Sequence, residues 1–123
     1  MKKPRLLFTI LFLFSILLTY TSSFAQKTEK GKTVKLEFKV DGVCEMCKTV
    51  IENAAYVKGV KMASWDKMSG NMTVVYRPDK TDENAIHQNI AKAGYDTEKL
   101  KATDEDYAKL PNCCRYRDGL EKH

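Results

Sequence analysis

The stretch TVKLEFKVDGVCEMCKTVIENAA, residues 33–55, decides the fold of this chain. Residues 34–40 alternate apolar and charged side chains with a period of two, which predicts a strand with one buried face. Residues 47–55 carry apolar side chains at the spacing of one helical face, which predicts an amphipathic helix. A break at residues 41–43 separates the two patterns. The stretch therefore predicts a strand, a short loop and a helix in succession.

A hairpin is predicted next in the chain. Gly59 is placed to end the first helix, and residues 60–65 and 72–77 predict two strands. Residues 68–71 contain Ser, Gly and Asn, which are typical of a hairpin connection. The first strand changes its apolar phase along its length, so we expect a β-bulge in it.

A second helix and a last strand complete the domain. Thr81 is a suitable N-cap, apolar residues recur at helical spacing up to residue 93, and Gly94 follows as a C-terminal glycine. Residues 95–100 predict one more strand. The order β-α-β-β-α-β predicts an α+β, ferredoxin-like sandwich, with a four-stranded antiparallel sheet and two helices on one face.

Four segments divide the chain. Residues 1–25 combine a basic start, an apolar run too short for the ~20 residues of a membrane span, and small residues before Ala25. This pattern predicts a Sec-type signal peptide cleaved after Ala25, and a periplasmic or secreted protein. Residues 26–32 are a polar lead-in, residues 33–100 the domain, and residues 101–123 a C-terminal extension.

The net charge argues against two classes of partner. It is +5 for the whole chain, and three of the basic residues lie in the predicted signal peptide. The mature chain is therefore only weakly basic, which argues against nucleic acid and a membrane surface as partners. We also expect no stable membrane insertion after cleavage, and a monomer.

The first two cysteines, Cys44 and Cys47, form a C-x-x-C pair across the predicted loop and the first helical turn. Unpaired N–H groups at a helix N-terminus favour a thiolate, which is the form that binds metal. Two soft sulfurs without oxygen ligands select Cu(I) or a similar thiophilic ion. A local disulfide and a thiol–disulfide redox pair are the alternatives for the same two residues.

Several motifs resemble the heavy-metal-associated domain of copper chaperones, metal-pumping ATPases and the periplasmic mercury-binding protein. They are VDGVCEMC at residues 40–47, IE at 51–52, GV at 59–60 and AGY at 93–95. The resemblance spans residues 33–100 and implies that Cys44 and Cys47 bind Cu(I), with Hg(II), Zn(II) or Cd(II) as other possible ions. It also implies that Tyr95 lies beside the site and that Met46 points away from it.

The extension carries a vicinal pair, Cys113 and Cys114. Residues 103–110 predict a short helix capped by Thr103, and Pro111 follows it. Adjacent cysteines rarely pair with each other without strain, so they could bridge to the first pair, add thiolates to one metal, form a second site or serve a separate structural role. One hypothesis is that the extension covers the metal site, and the other is that the two cysteines have a separate structural role.

The remaining candidate side chains favour structural interpretations. His87 is expected on the solvated side of the second helix, and His123 to be disordered. Trp65 is either a core residue or an exposed contact. Hairpin and core packing, rather than copper binding, is expected for Met62, Met68 and Met72.

Three functions follow from these observations. The first is a metal-binding protein that sequesters a soft ion or transfers it to a membrane transporter or efflux pump. The second is a thiol–disulfide redox protein that uses the same cysteines, and the third is a structural domain with inert disulfides. We expect no enzyme, because no nucleophile–base pair, phosphate loop or paired-carboxylate signature is present in the sequence.

Overall fold

The computed structural model describes residues 31–123. The predicted signal peptide and residues 26–30 of the lead-in lie outside the described residues. The elements are β1 (Val34–Lys39), α1 (Glu45–Ala55), β2 (Val60–Trp65), β3 (Asn71–Tyr76), α2 (Glu83–Lys92) and α3 (Asp104–Ala108). Two 3-10 turns follow, at Asn112–Cys114 and Tyr116–Asp118. Within residues 31–123, no helix is long and apolar enough to cross a membrane.

The sheet has the strand order β1-β3-β2, and both pairings are antiparallel. The register of β2 against β3 shifts between Val60 and Met62, so the predicted bulge is confirmed. The alternation in β3 buries one side of the sheet, where Met72 and Val74 are fully buried. The helices pack against these residues through Ile51 and Ile90.

The predicted fourth strand is not formed in the part of the chain that the structure describes. Val40 and Thr97 make a single antiparallel bridge and the ladder goes no further. The Thr97 hydroxyl accepts hydrogen bonds from the backbone N–H groups of Lys99 (3.3 Å) and Leu100 (3.0 Å). This local side-chain bonding replaces the ladder with a turn. The result is an α+β fold with a three-stranded sheet.

The helix ends differ slightly from their predicted positions. Asp82, and not Thr81, is the N-cap of α2, and its carboxylate accepts the Ala85 N–H at 2.8 Å. The first helix ends at Ala55, before Gly59. The Thr103 cap of α3 is confirmed by its bond to the Asp106 N–H at 3.1 Å.

Both histidine predictions are wrong. His87 is fully buried, with its ring 4.1 Å from the Phe38 ring and its Nδ1 2.7 Å from the Thr97 hydroxyl. It is buried because this face of α2 lies over β1 and the Thr97 turn. His123 has defined contacts, since its backbone N–H donates to the Val43 carbonyl at 2.8 Å.

The other large side chains divide between core and surface. Trp65 belongs to the core, where its indole N–H donates to the Val40 carbonyl at 3.1 Å. Met72 is in the core as predicted, whereas Met62 and Met68 are exposed.

Candidate metal centre

The loop between β1 and α1 places the first two cysteines together. Cys44 is the N-cap of α1, with extended backbone, and its sulfur accepts the Cys47 N–H at 3.3 Å. The two sulfur atoms are 2.9 Å apart, and both side chains are buried. Gly42 allows this loop to pack closely, since a Cβ there would lie 2.9 Å from the Trp65 ring.

The C-terminal extension brings a third thiol to the same point. Cys114 ends a 3-10 turn that follows Pro111, and its sulfur lies 3.4 Å from that of Cys44. The sulfur atoms of Cys44, Cys47 and Cys114 all lie within 4.8 Å of one another. All three residues are buried, and all four cysteines of the chain are free thiols. We refer to these three residues as the thiol cluster.

The second member of the vicinal pair does not join the thiol cluster. Cys113 is exposed, and its sulfur lies 3.8 Å from that of Cys114 and 3.9 Å from the Met46 sulfur. Met46 is itself 52% exposed. The adjacent cysteines therefore face different surroundings.

The three buried thiols differ in their acidity. Burial opposes ionisation of Cys47, but hydrogen bonds with the Cys44 thiol and the Val43 backbone lower its pKa overall. Burial, followed by the hydrogen bond with Cys47, raises the pKa of Cys44. Burial and its contacts with Cys47 and Cys44 likewise raise the pKa of Cys114. Of the three thiols, Cys47 is therefore the one whose ionised form its surroundings favour.

Tyr95 is fully buried against the thiol cluster. Burial raises its pKa, and the neighbouring Cys47 and Cys114 thiols raise it further, so the hydroxyl stays protonated. Among residues 31–123, no acceptor lies in hydrogen-bonding geometry with this hydroxyl. A buried, protonated donor beside the Cys47 and Cys114 sulfurs is suited to bind a negatively charged thiolate.

Polar contacts that the sequence did not predict hold the extension in place. The Tyr116 hydroxyl donates to the Gly94 carbonyl at 2.9 Å and accepts the Asp96 N–H at 2.8 Å. The Tyr116 ring stacks on Tyr95 at 5.8 Å. Arg117 donates two hydrogen bonds to the Asp96 carboxylate, at 2.6 and 3.2 Å. The only signal in the sequence was the clustering of Arg and Tyr beside the vicinal cysteines, which by itself predicts no partner.

Fold and cluster together define a small α+β module with a buried centre of soft sulfur ligands. The model of the "Heavy-metal-associated domain" matches residues 37–96. A copper binding domain from HMA7, a P-type ATPase, is 32% identical, with 52% of this chain and 89% of that one covered and a TM-score of 0.50. The CopZ metallochaperone is 27% identical, with 52% and 98% covered and a TM-score of 0.50.

Oxidized MerP from Ralstonia metallidurans CH34 is 23% identical, with 55% of this chain and 96% of that one covered and a TM-score of 0.51, a likeness of fold alone. No curated protein gave a significant match. The chain belongs to the heavy-metal-associated domain family, and it has the metallochaperone-like fold of that family with a C-x-x-C cysteine cluster. The match ends at residue 96, so Cys114, Tyr116 and Arg117 lie outside it.

Proposed function

We propose that the chain is an exported binding module that holds a soft metal ion between the Cys44 and Cys47 thiolates and transfers it to a membrane transporter. The observation that carries the proposal is the pair of buried sulfurs 2.9 Å apart at the start of α1. At the helix N-terminus the Cys47 N–H donates to the Cys44 sulfur, and the lowered pKa of Cys47 favours the thiolate form that binds metal.

Cu(I) is the ion that this donor set fits best. Thiolates are soft ligands, and Cu(I) accepts low coordination numbers, whereas Zn(II) prefers four ligands. Two of the similar proteins are described as a copper binding domain and a metallochaperone, which supports the same choice. Hg(II), Zn(II) and Cd(II) are the ions to compare in binding experiments.

A titration of the reduced protein, residues 26–123, tests metal binding. We expect one Cu(I) ion per chain, held against a competing chelator, and loss of this binding in the Cys44→Ser/Cys47→Ser variant. Met46→Leu is the matched control, because it removes the sulfur between the two cysteines from a side chain that is 52% exposed. Wild-type affinity in the double variant would contradict the proposal.

The same preparation separates the carrier from the redox alternative. Two thiols at 2.9 Å are close enough to be oxidised to a disulfide, so a redox protein would exchange with a glutathione buffer and reduce or oxidise a substrate protein repeatedly. We expect bound Cu(I) to block this exchange. Rapid catalytic exchange together with weak metal binding would favour the redox function.

Export of the chain and transfer of the ion are supported by observations other than those that support metal binding. The pattern of residues 1–25 supports export, and likeness to a domain of a P-type ATPase supports transfer to a transporter. Expression of the full chain in a bacterial host should yield a periplasmic protein that begins at Gln26. An uncleaved chain in the cytoplasm would contradict export and leave metal binding to be judged by the titration.

A further inference from the structure

We propose that Cys114 is a third thiolate ligand, so that the extension converts the two-cysteine pair into a buried three-sulfur site for a soft ion such as Cu(I). This proposal rests on the proposed metal-binding function. The proposal goes beyond that function because Cys114 lies outside the part of the chain that matches the family.

The sulfur positions fit a trigonal site. Three sulfurs that each lie about 2.3 Å from a central ion are about 4 Å from one another in a plane. The separations here are 2.9 Å between Cys44 and Cys47 and 3.4 Å between Cys44 and Cys114, and all pairs are within 4.8 Å. Small outward shifts of the thiols, of roughly 1 Å, would admit the ion.

The Tyr95 hydroxyl supplies a second, independent observation. A buried free cysteine is often only a small apolar residue, and burial alone would not identify Cys114 as a ligand. The Tyr95 hydroxyl, however, is buried beside Cys47 and Cys114 and has no hydrogen-bond partner among residues 31–123. An ion that keeps these sulfurs as thiolates would give the hydroxyl an acceptor, and the orphaned donor would be satisfied.

The extension holds Cys114 at this position through contacts on both sides of it. Leu110 packs on Gly94, where an added Cβ would lie 2.9 Å from the leucine side chain. Tyr116 and Arg117 bind the backbone and carboxylate of residues 94–96, immediately next to Tyr95. Ion binding should therefore stabilise the packed extension, because the same ion bonds to both parts of the chain.

Cys113→Ser is the matched control for Cys114→Ser, since the two residues are adjacent and only Cys114 belongs to the thiol cluster. In a chelator competition with Cu(I), we expect the affinity to fall about tenfold or more in Cys114→Ser and to stay unchanged in Cys113→Ser. Equal affinities in Cys114→Ser and the wild type would overturn the proposal.

X-ray absorption spectroscopy of the Cu(I)-loaded wild type provides a measurement that needs no variant. We expect three sulfur neighbours in the wild type and in Cys113→Ser, and two in Cys114→Ser. Two sulfurs in the wild type would overturn the three-sulfur site and leave the two-cysteine function intact. No binding in any of these proteins would instead refute the proposed function itself.

Discussion

The domain that matches the family model, residues 37–96, and the extension that follows it are stabilised in different ways. The domain buries a continuous apolar core between a hydrogen-bonded sheet and two helices. The extension has one short α-helix and two 3-10 turns, adds Tyr107 and Leu110 to the edge of this core, and is attached by polar contacts of Tyr116 and Arg117. The domain thus supplies a stable frame with two thiols, and the extension adds a third thiol through a smaller set of contacts.

Because of this difference, we expect changes in the domain to alter the stability of the whole chain, and changes in the extension to alter the access of reagents to the thiol cluster. In the domain, loss of apolar packing should unfold the whole chain, because the sheet and helices share one core. In the extension, loss of a contact should first release residues 101–123 and expose the thiols of Cys44 and Cys114. The predictions below test this separation.

The largest effect is expected for a cavity in the domain. Ile51 on α1 is fully buried beside the loop that carries Cys44, so Ile51→Ala should lower the free energy of unfolding by about 3–4 kcal/mol. Urea denaturation followed by circular dichroism measures it. The neighbouring, only partly buried Val50 provides the control, and Val50→Ala should cost clearly less. Equal losses would show that burial in α1 does not determine stability.

A smaller effect is expected where the extension meets the domain. Gly94 has a φ of +102°, and a Cβ there would lie 2.9 Å from Leu110 and 3.0 Å from the Asp106 carbonyl. Gly94→Ala should therefore lower the free energy of unfolding by about 2–3 kcal/mol, from backbone strain and the clash together. Reaction of the thiols with a chromogenic disulfide should also become faster.

The variant Gly119→Ala separates the cost of backbone strain from the cost of the clash. Its φ is +78°, but no atom lies within 4 Å of an added Cβ, so Gly119→Ala carries only the backbone cost of about 1 kcal/mol. The thiols of the Gly119→Ala variant should react with the chromogenic disulfide at the wild-type rate. If Gly94→Ala and Gly119→Ala behaved alike, the packing of Leu110 on Gly94 would have no energetic role.

The ion pair between Arg117 and Asp96 should contribute less to the free energy of unfolding than the packing at Gly94 does. Burial would raise the pKa of Asp96, but hydrogen bonds from Arg117 and the Ala102 N–H lower it overall. Arg117→Gln should reduce the free energy of unfolding by about 1–2 kcal/mol at neutral pH. Because the folded-state pKa is lowered, the contribution of the pair is present above pH ~4 and disappears as the carboxylate is protonated.

Lys109→Gln is the control for this pair. Lys109 makes a salt bridge with Asp106 at 3.1 Å, but its side chain is 67% exposed. Its removal should change stability by less than about 0.5 kcal/mol. Thermal unfolding followed from pH 7 down to pH ~2 measures both variants, and a loss in Arg117→Gln that stays constant over this range would contradict the ionic origin.

The domain was largely predictable from its sequence because its elements follow from local periodicity. The period-two strand, the helical stripe after Cys47 and the phase change between Val60 and Met62 each depend on neighbouring residues. The last strand was not predictable in this way. Its loss depends on Thr97, whose hydroxyl binds the following backbone, and β-propensity contains no information about such a bond.

Placement of the extension depended on contacts that periodicity cannot reveal. Cys114 meets Cys44 across 70 residues of sequence, and long-range contacts such as the packing of Tyr116 and Arg117 on residues 94–96 fix that encounter. The sequence therefore supported several roles for the vicinal cysteines. Only the folded chain shows that Cys114 is buried with the first pair and that Cys113 is not.

The smallest predicted effect concerns His87, the buried histidine of the domain. Burial lowers its pKa, and the nearby Glu83 carboxylate, 3.5 Å from Nε2, offsets this only in part. The unfolded chain therefore takes up the proton first, and stability should fall as the pH drops below ~6.5. The charges of Lys99 and Glu98 act on the ring in opposite directions, since Lys99 lowers the pKa of His87 and Glu98 raises it.

His87→Gln should remove this acid loss, which is about 1 kcal/mol between pH 6.5 and pH 5.5 for one proton. The readout is the difference in unfolding free energy between the two pH values, because the substitution also changes packing against Phe38 at every pH. His123→Gln is the matched control, since that side chain is exposed at the end of the extension and should leave the acid loss unchanged. If His123→Gln removed the loss instead, acid sensitivity would belong to the extension and not to the domain.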